Sequence, residues 1–250
     1  MTRGNIARRA LPLVDLTNLN DNCTTGDVDA LCDRAITAKG SVAAICIWPR
    51  YVSHARGRLE GKLPIATVVN FPGGNSGIDI TTVETRQAVR DGADEVDLVL
   101  PYEAIAEGDR DGPRAMVEGI RAEVPGLLKV ILETGELRDE ALIREASRLA
   151  IAAGADFIKT STGKVKENAT LRSARIMLEE IAQTGRHDVG FKPAGGIRTT
   201  EDAGEYLALA DEIMGPDWVG PRTFRFGASG VLDDLLAAMD GGTAAAGDGY

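Results

Sequence analysis

Aromatic side chains are scarce in this 250-residue chain, at 4%, and so few flat faces argue against a stacking platform for bases or sugars. Histidine occurs twice, at His54 and His187, far apart in sequence and in positions that read as helix or loop. Zinc catalysis usually needs three close His, Cys or carboxylate ligands, so neither a metal nor any other cofactor is expected. The three cysteines, Cys23, Cys32 and Cys46, are odd in number and lack metal-ligand spacing. They read as free thiols in a reducing compartment. No apolar run approaches the roughly 18 residues a membrane span requires. The segment Met1–Ala10 carries Arg3, Arg8 and Arg9, and the apolar stretch behind it is too short for a signal-peptide core. The expected location is cytoplasmic. A basic stripe is missing too: 28 Lys and Arg face 38 Asp and Glu, a net charge of −10. That balance argues against nucleic acid and anionic membrane as partners. An anionic substrate would need a local positive site.

What is present is a regular alternation. Eight short apolar runs recur along the chain: Leu11–Thr17, Val42–Trp48, Ile65–Asn70, Glu95–Leu100, Leu127–Glu133, Asp156–Ser161, Val189–Pro193 and Phe224–Ser229. Between them lie seven stretches with apolar residues three to four apart: Asp27–Lys39, Arg50–Leu59, Asp79–Asp91, Gly112–Val124, Arg138–Ala153, Leu171–Gln183 and Glu201–Met214. That spacing predicts amphipathic helices. Thr25, Thr170 and Thr200 stand where helix N-caps fall, and Gly40, Gly92, Gly154 and Gly185 just past helix ends. Strands alternating with helices imply a parallel sheet, and eight units imply closure into a single (β/α)₈ TIM barrel, with an open doubly wound sheet as the alternative. The barrel is assigned to residues 1–240, and the Gly- and Ala-rich segment 241–250 to a mobile tail.

A barrel of this kind carries its active site at the C-terminal ends of its strands, so polar residues that interrupt the strands there are the candidates. Lys159 in "DFIKTSTGK" and Lys192 in "VGFKPAGG" do so on the sixth and seventh strands. Neighbouring strands are about 4.8 Å apart. Two inward lysines there would disfavour each other's protonation, and burial acts the same way, leaving one neutral amine as a nucleophile. Asp97 in "DEVDLVLP" and Asp15 in "PLVDLTNL" interrupt the fourth and first strands, Asp97 on the face of Glu95 and Val99, Asp15 with Thr17. Each reads as a counter-ion, a proton carrier, or both. Lys129 and Glu133 share a face of the fifth strand and extend this network in a structural role. Past the seventh strand "KPAGGIRT" supplies Gly195 and Gly196, and past the eighth "FGASG" supplies Ser229 and Gly230. Loops at these places are the recurrent phosphate site of the fold. Arg198, Lys164 and the Gly163 amide are further donors.

These segments, with "ATVVNFPGG", "ETRQAVRDGADEVDLVLPY" and "LLKVILETGEL", cover nearly the whole chain and resemble the 2-deoxyribose-5-phosphate aldolases. The resemblance implies a class I aldolase that reversibly cleaves 2-deoxy-D-ribose 5-phosphate into D-glyceraldehyde 3-phosphate and acetaldehyde. By match to the family's motifs, Lys159 resembles the Schiff-base lysine and Lys192 the lysine that perturbs it. Asp97 resembles the acid that works with Lys192, and Asp15 a polar residue near the substrate. Tyr250 resembles a terminal tyrosine thought to assist a proton transfer, and a homodimer is implied by the family alone. Family members often carry two serines where this chain has Ser229 and Gly230, which predicts a weaker hold on phosphate. An isomerase, a different Schiff-base aldolase, and a barrel that only binds a sugar phosphate are the other readings.

Overall fold

The computed structural model describes residues 1–242. Its sheet has eight parallel strands: β1 (Val14–Asn18), β2 (Ala44–Ile47), β3 (Ile65–Val69), β4 (Glu95–Val99), β5 (Leu127–Ile131), β6 (Phe157–Lys159), β7 (Gly190–Lys192) and β8 (Phe226–Ala228). They pair in sequence order, with β8 beside β1. The Phe191–Phe224 and Ala194–Gly227 bridges join β7 to β8 and close the barrel. All eight expected strands are present, each shorter by one to three residues, and β1 runs one residue past its expected end at Thr17. The first begins later because Leu11–Leu13 forms a 3₁₀ turn with Pro12 in its first positions, where a missing N–H costs nothing.

Eleven helices are present among the described residues: α1 (Arg3–Ala10), α2 (Thr25–Ala35), α3 (Val52–Leu59), α4 (Ile78–Arg90), α5 (Tyr102–Glu107), α6 (Asp111–Glu123), α7 (Thr134–Leu137), α8 (Glu140–Ala152), α9 (Leu171–Thr184), α10 (Thr200–Met214) and α11 (Val231–Met239). None is long and apolar enough to cross a membrane. Two caps differ by one residue from the sequence reading. Thr24 and Thr199, rather than Thr25 and Thr200, close reciprocal capping boxes with Asp27 and Asp202, while Thr170 caps α9 as expected. The helix expected to reach Lys39 stops at Ala35. Ile36–Thr37 and Gly40–Ser41 pair there as a two-stranded antiparallel ribbon, and Gly40, at φ +126°, turns that ribbon instead of ending a helix.

The apolar core lies between strands and helices, in a shell that runs from Ala7 to Ala238. On α8, Ile143, Ala146, Leu149 and Ala150 supply its inward stripe. A parallel sheet covered on its outer face reads as nearly continuous hydrophobic runs, so the polar interruptions mark residues that enter the barrel. One close approach shapes its floor. A side chain at Gly190 would meet the Phe157 ring at 2.3 Å. Glycine there gives Phe157 room inside the barrel, where the Arg225 guanidinium lies 5.8 Å from its ring centroid.

Candidate active site

Parallel register brings the interrupting residues together. Asp97 on β4 lies opposite Lys129 on β5, and Lys159 on β6 lies opposite Lys192 on β7. Lys159 and Lys192 both donate to Asp97 Oδ2, each at 2.8 Å. Lys129 donates to Asp97 Oδ1 at 2.9 Å and stands 2.6 Å from Glu95. Lys192 also reaches Asp15 Oδ2 at 2.5 Å. Arg225, just before β8, bonds Asp15 Oδ1 at 2.6 Å and Glu95 Oε1 at 2.9 Å. Four cations and three carboxylates thus form one buried layer across the barrel. Each carboxylate in it has at least two cationic partners, which a charge needs when removed from water.

The layer fixes protonation in a direction that differs from the sequence expectation. Burial pushes the Asp97 carboxyl up, but the combined pull of Lys129, Lys159 and Lys192 holds it well below the usual carboxylate range. Asp15 goes the same way against its own burial, through Lys192, Arg225 and Lys129. Burial pushes Lys192 down, and Asp15 and Asp97 more than reverse that, so Lys192 is held protonated beyond the ordinary lysine range. Two neighbouring lysines by themselves would depress each other; the intervening carboxylate oxygen replaces that repulsion with a shared attraction. Lys129 is raised as well, with Asp97 and Glu95 overcoming its burial. Of the three lysines, Lys159 contacts a single carboxylate and retains 3% exposure, whereas Lys129 and Lys192 retain none.

The other side of the barrel interior is apolar. Leu19, Cys46, Ala66 and Val68 pack together with Trp48 and Phe71 against them. Cys46 is fully buried, and burial pushes its thiol up, which makes it a poor nucleophile. Thr17 Oγ1 donates to the Asp15 carbonyl at 2.8 Å. Both Asp15 oxygens are engaged, Oδ2 by Lys192 and Oδ1 by Arg225, as the counter-ion reading of Asp15 expects. Glu133 lies just beyond β5 in the left-handed region at φ +56°. Its carboxylate accepts from the Thr162 hydroxyl at 2.5 Å and from the Thr162 amide, and so ties down the segment after Lys159.

The loops after β7 and β8 flank a second polar feature. The Ser229 hydroxyl is buried with no partner among the described residues, a condition that normally signals a missing ligand or water. It precedes Gly230, the N-cap of the nine-residue helix α11, whose N-terminal amides carry partial positive charge. Gly196 is exposed at φ +84° in the facing loop. The Gly195 amide departs from the expectation, because it donates to the Gly227 carbonyl at 3.2 Å and knits the two loops together. Gly163, at φ +86°, turns the loop that carries Lys164. Lys164 reaches Asp21 at 3.0 Å and the Trp48 ring at 5.9 Å. Arg198 is exposed, with its amide on Asp202. Tyr250 lies outside the described residues.

The arrangement therefore brings together Lys159, Lys192, Asp97, Asp15 and Thr17, with Ser229, Gly230 and Gly196 at the flanking loops. Sequence reasoning underweights Lys129 and passes over Arg225 and the full part of Glu95. The available signal is the same one that finds Lys159, a charge inside an apolar run. His54, paired with Asp29 between the outer helices α3 and α2, takes no part in the layer.

Comparison with known proteins gives a consistent result. The sequence model of the DeoC/LacD family of aldolases matches residues 9–231. A deoxyribose-phosphate aldolase of Agrobacterium fabrum is 55% identical over 249 residues, which span 98% of this chain and 96% of that one. Among solved structures, an aldolase designated QR15 superimposes with a TM-score of 0.78 at 28% identity, covering 91% of this chain and 96% of its own. A tetrameric deoxyribose phosphate aldolase from Aeropyrum pernix gives 0.76 at 23% identity, over 94% and 93% of the two chains, a likeness of fold alone.

Proposed function

The chain belongs to the DeoC/LacD family of aldolases, and from that membership we propose that it cleaves 2-deoxy-D-ribose 5-phosphate reversibly through a Schiff base on Lys159. The observation that carries this reading is the pairing of Lys159 and Lys192 in register on adjacent strands, sharing one oxygen of Asp97. A shared carboxylate oxygen lets a proton pass between the two amines over a short path, and formation and hydrolysis of an iminium both require one.

One mobile proton is enough for the whole cycle. Neutral Lys159 adds to the aldehyde carbon of the open-chain sugar and gives a carbinolamine. Protonated Lys192 delivers its proton to the departing hydroxyl, so that water leaves and an iminium remains. The C3 hydroxyl then gives its proton to the now neutral Lys192. The C2–C3 bond breaks, and its electron pair enters the iminium to form an enamine while glyceraldehyde 3-phosphate departs. Lys192 returns the proton to the enamine carbon, and water releases acetaldehyde and restores both lysines. Asp97, held ionised, is a weak base and serves as the pivot for both lysines; Asp15 steadies Lys192 from the other side. Tyr250 is proposed as an auxiliary proton carrier at the enamine step.

The phosphate belongs at the Ser229–Gly230 turn and the Gly196 loop, whose fixed donors set the register of the sugar against Lys159. Lys164, Arg198 and the Gly163 amide are the further donors proposed there, and Thr17 lines the approach. Gly230 has φ −75° and ψ −21°, a backbone any residue adopts, so the Gly230→Ser variant should gain one hydroxyl donor without strain. One added hydrogen bond to a charged acceptor stabilises by roughly 1–2 kcal/mol, and KM for the phosphorylated sugar should fall about 5- to 30-fold. Steady-state kinetics of the two proteins checks this; an unchanged KM would remove Gly230 from the phosphate site. The location is proposed as cytoplasmic, the partners as the phosphorylated sugar and acetaldehyde, and the assembly as a homodimer; sedimentation decides the last.

The decisive test of the Schiff base is chemical trapping. Incubation with acetaldehyde and sodium borohydride should leave one ethyl group on Lys159, located by peptide mass spectrometry. Label on surface lysines only would sink the proposal and return the isomerase and binding-only readings.

A further inference from the structure

Lys129, Glu95 and Arg225 are buried like the groups assigned to chemistry, yet no step of the catalytic cycle uses them. Lys129 is fully enclosed, and Glu95 and Arg225 approach solvent from the wrong side. A cleft of about 700 Å³ at the N-terminal ends of the strands is lined by both of them, together with Asp94, Arg56, Asp156 and Arg222. The substrate enters from the opposite end. All three residues are nonetheless bonded directly into the Asp15–Asp97 layer.

We propose that Lys129, Glu95 and Arg225 are positioning residues that set the pH at which Lys159 becomes a nucleophile, by fixing the net charge of the buried layer. The inference rests on the Schiff-base reading of Lys159. With every group ionised, Lys129, Lys159, Lys192 and Arg225 face Asp15, Glu95 and Asp97, one positive charge in excess. Loss of a single proton brings the layer to neutrality. Lys192 and Lys129 each answer to two close carboxylates, and Arg225 keeps its proton at any physiological pH. Lys159 answers to one, which makes it the lysine of the layer held by the fewest carboxylates. The iminium later puts a positive charge on the Lys159 nitrogen beside Asp97 while Lys192 has given up its own, so the layer stays neutral through that step. The remaining titratable groups that bear on the layer are Cys46 on β2, held as a neutral thiol, and Glu133 after β5, whose carboxyl burial pushes up.

Charge counting makes predictions of opposite sign for two variants that leave the substrate site untouched. Lys129→Met removes the excess charge, so that deprotonating Lys159 would leave the layer negative. Its acid limb in the kcat/KM profile should move up by about one to two pH units. Glu95→Gln leaves two positive charges in excess, and its acid limb should move down by a similar amount. The double variant restores the excess of one, and its limb should return to the wild-type position. A residue with a merely structural role would lower the plateau and leave the limb in place.

The experiment is the pH dependence of kcat/KM for the four proteins, with borohydride trapping of the wild type run first. Opposed shifts in the single variants and their cancellation in the double establish the charge-setting role. Should Lys129→Met fail to fold, Glu95→Gln, which keeps shape and volume, decides alone by a downward shift or its absence. An adduct on Lys159 of the wild type, with limbs that stay put or move the same way, overturns this inference and leaves the Schiff base standing. A wild type never labelled at Lys159 overturns both.

Discussion

Replacing Lys159 by arginine is expected to lower turnover by about four orders of magnitude or more, while leaving the protein folded and able to bind phosphate. The two halves of that statement have separate causes. A guanidinium remains protonated at every accessible pH, so it cannot attack a carbonyl. It does keep the positive charge beside Asp97 Oδ2, where Lys159 donates at 2.8 Å. The layer then retains its excess of one cation, but the group at position 159 can no longer become a nucleophile. Lys159→Ala should be equally inactive for the simpler reason that the amine is gone. Thermal melting with and without inorganic phosphate separates chemistry from binding. The expected pattern is a wild-type phosphate-dependent shift in Tm for Lys159→Arg with no aldehyde released. Turnover within about a hundredfold of wild type in either variant would contradict the assignment.

Much of this arrangement is legible in the sequence, for identifiable reasons. In a parallel barrel both faces of each strand are buried, so a lysine or aspartate inside an apolar run has nowhere to go except the interior. Lys159, Lys192, Asp97 and Asp15 stand out in the sequence for this reason. Burial alone does not give the register between strands, and the register decides what the residues do. Asp97 stands between the two lysines because β6 and β7 bring them to one oxygen of this β4 residue, which turns an expected mutual repulsion into a common anchor. Lys129 is visible as an inward residue, but its place opposite Asp97 comes from the β4–β5 pairing. Arg225 stands one residue before a three-residue strand, on the same face as Gly227, so the charge-in-an-apolar-run signal is present but its partners, Asp15 and Glu95 on other strands, are not legible. Helix α1 escapes notice because its sequence, RGNIARRA, is too polar and short to show an apolar stripe; it is held by Arg3 on Asp234 and Arg9 on Asp211. Contacts of that kind, more than 200 positions apart in sequence, have no local signature.

Asp97→Asn should cost activity and stability together, and pH separates the two. Asparagine keeps the shape but withdraws a charge from among three lysines, each within 2.9 Å of the carboxylate. Breaking a buried ion network on one side leaves uncompensated charge and destabilises by roughly 3–5 kcal/mol. For a domain of this size that is a fall in Tm of about 6–20 °C. The pivot between Lys159 and Lys192 is lost as well, so kcat should drop by about 10²- to 10⁴-fold, whereas KM should change little because the phosphate is held at the Ser229 turn. The sign of the pH effect comes from the direction of the shift. The Asp97 carboxyl is held below its ordinary range in the folded protein, so its contribution to stability is complete above the unfolded-state value of about 4. It is lost only as pH falls below that, through the folded-state value. The difference in Tm between wild type and Asp97→Asn should accordingly be the same at pH 7 and pH 5, and should narrow below about pH 4. A gap that already shrinks between pH 7 and pH 5 would mean that Asp97 takes up a proton in the neutral range, and the proton acceptor at the C3 hydroxyl would then be Asp97 itself rather than Lys192.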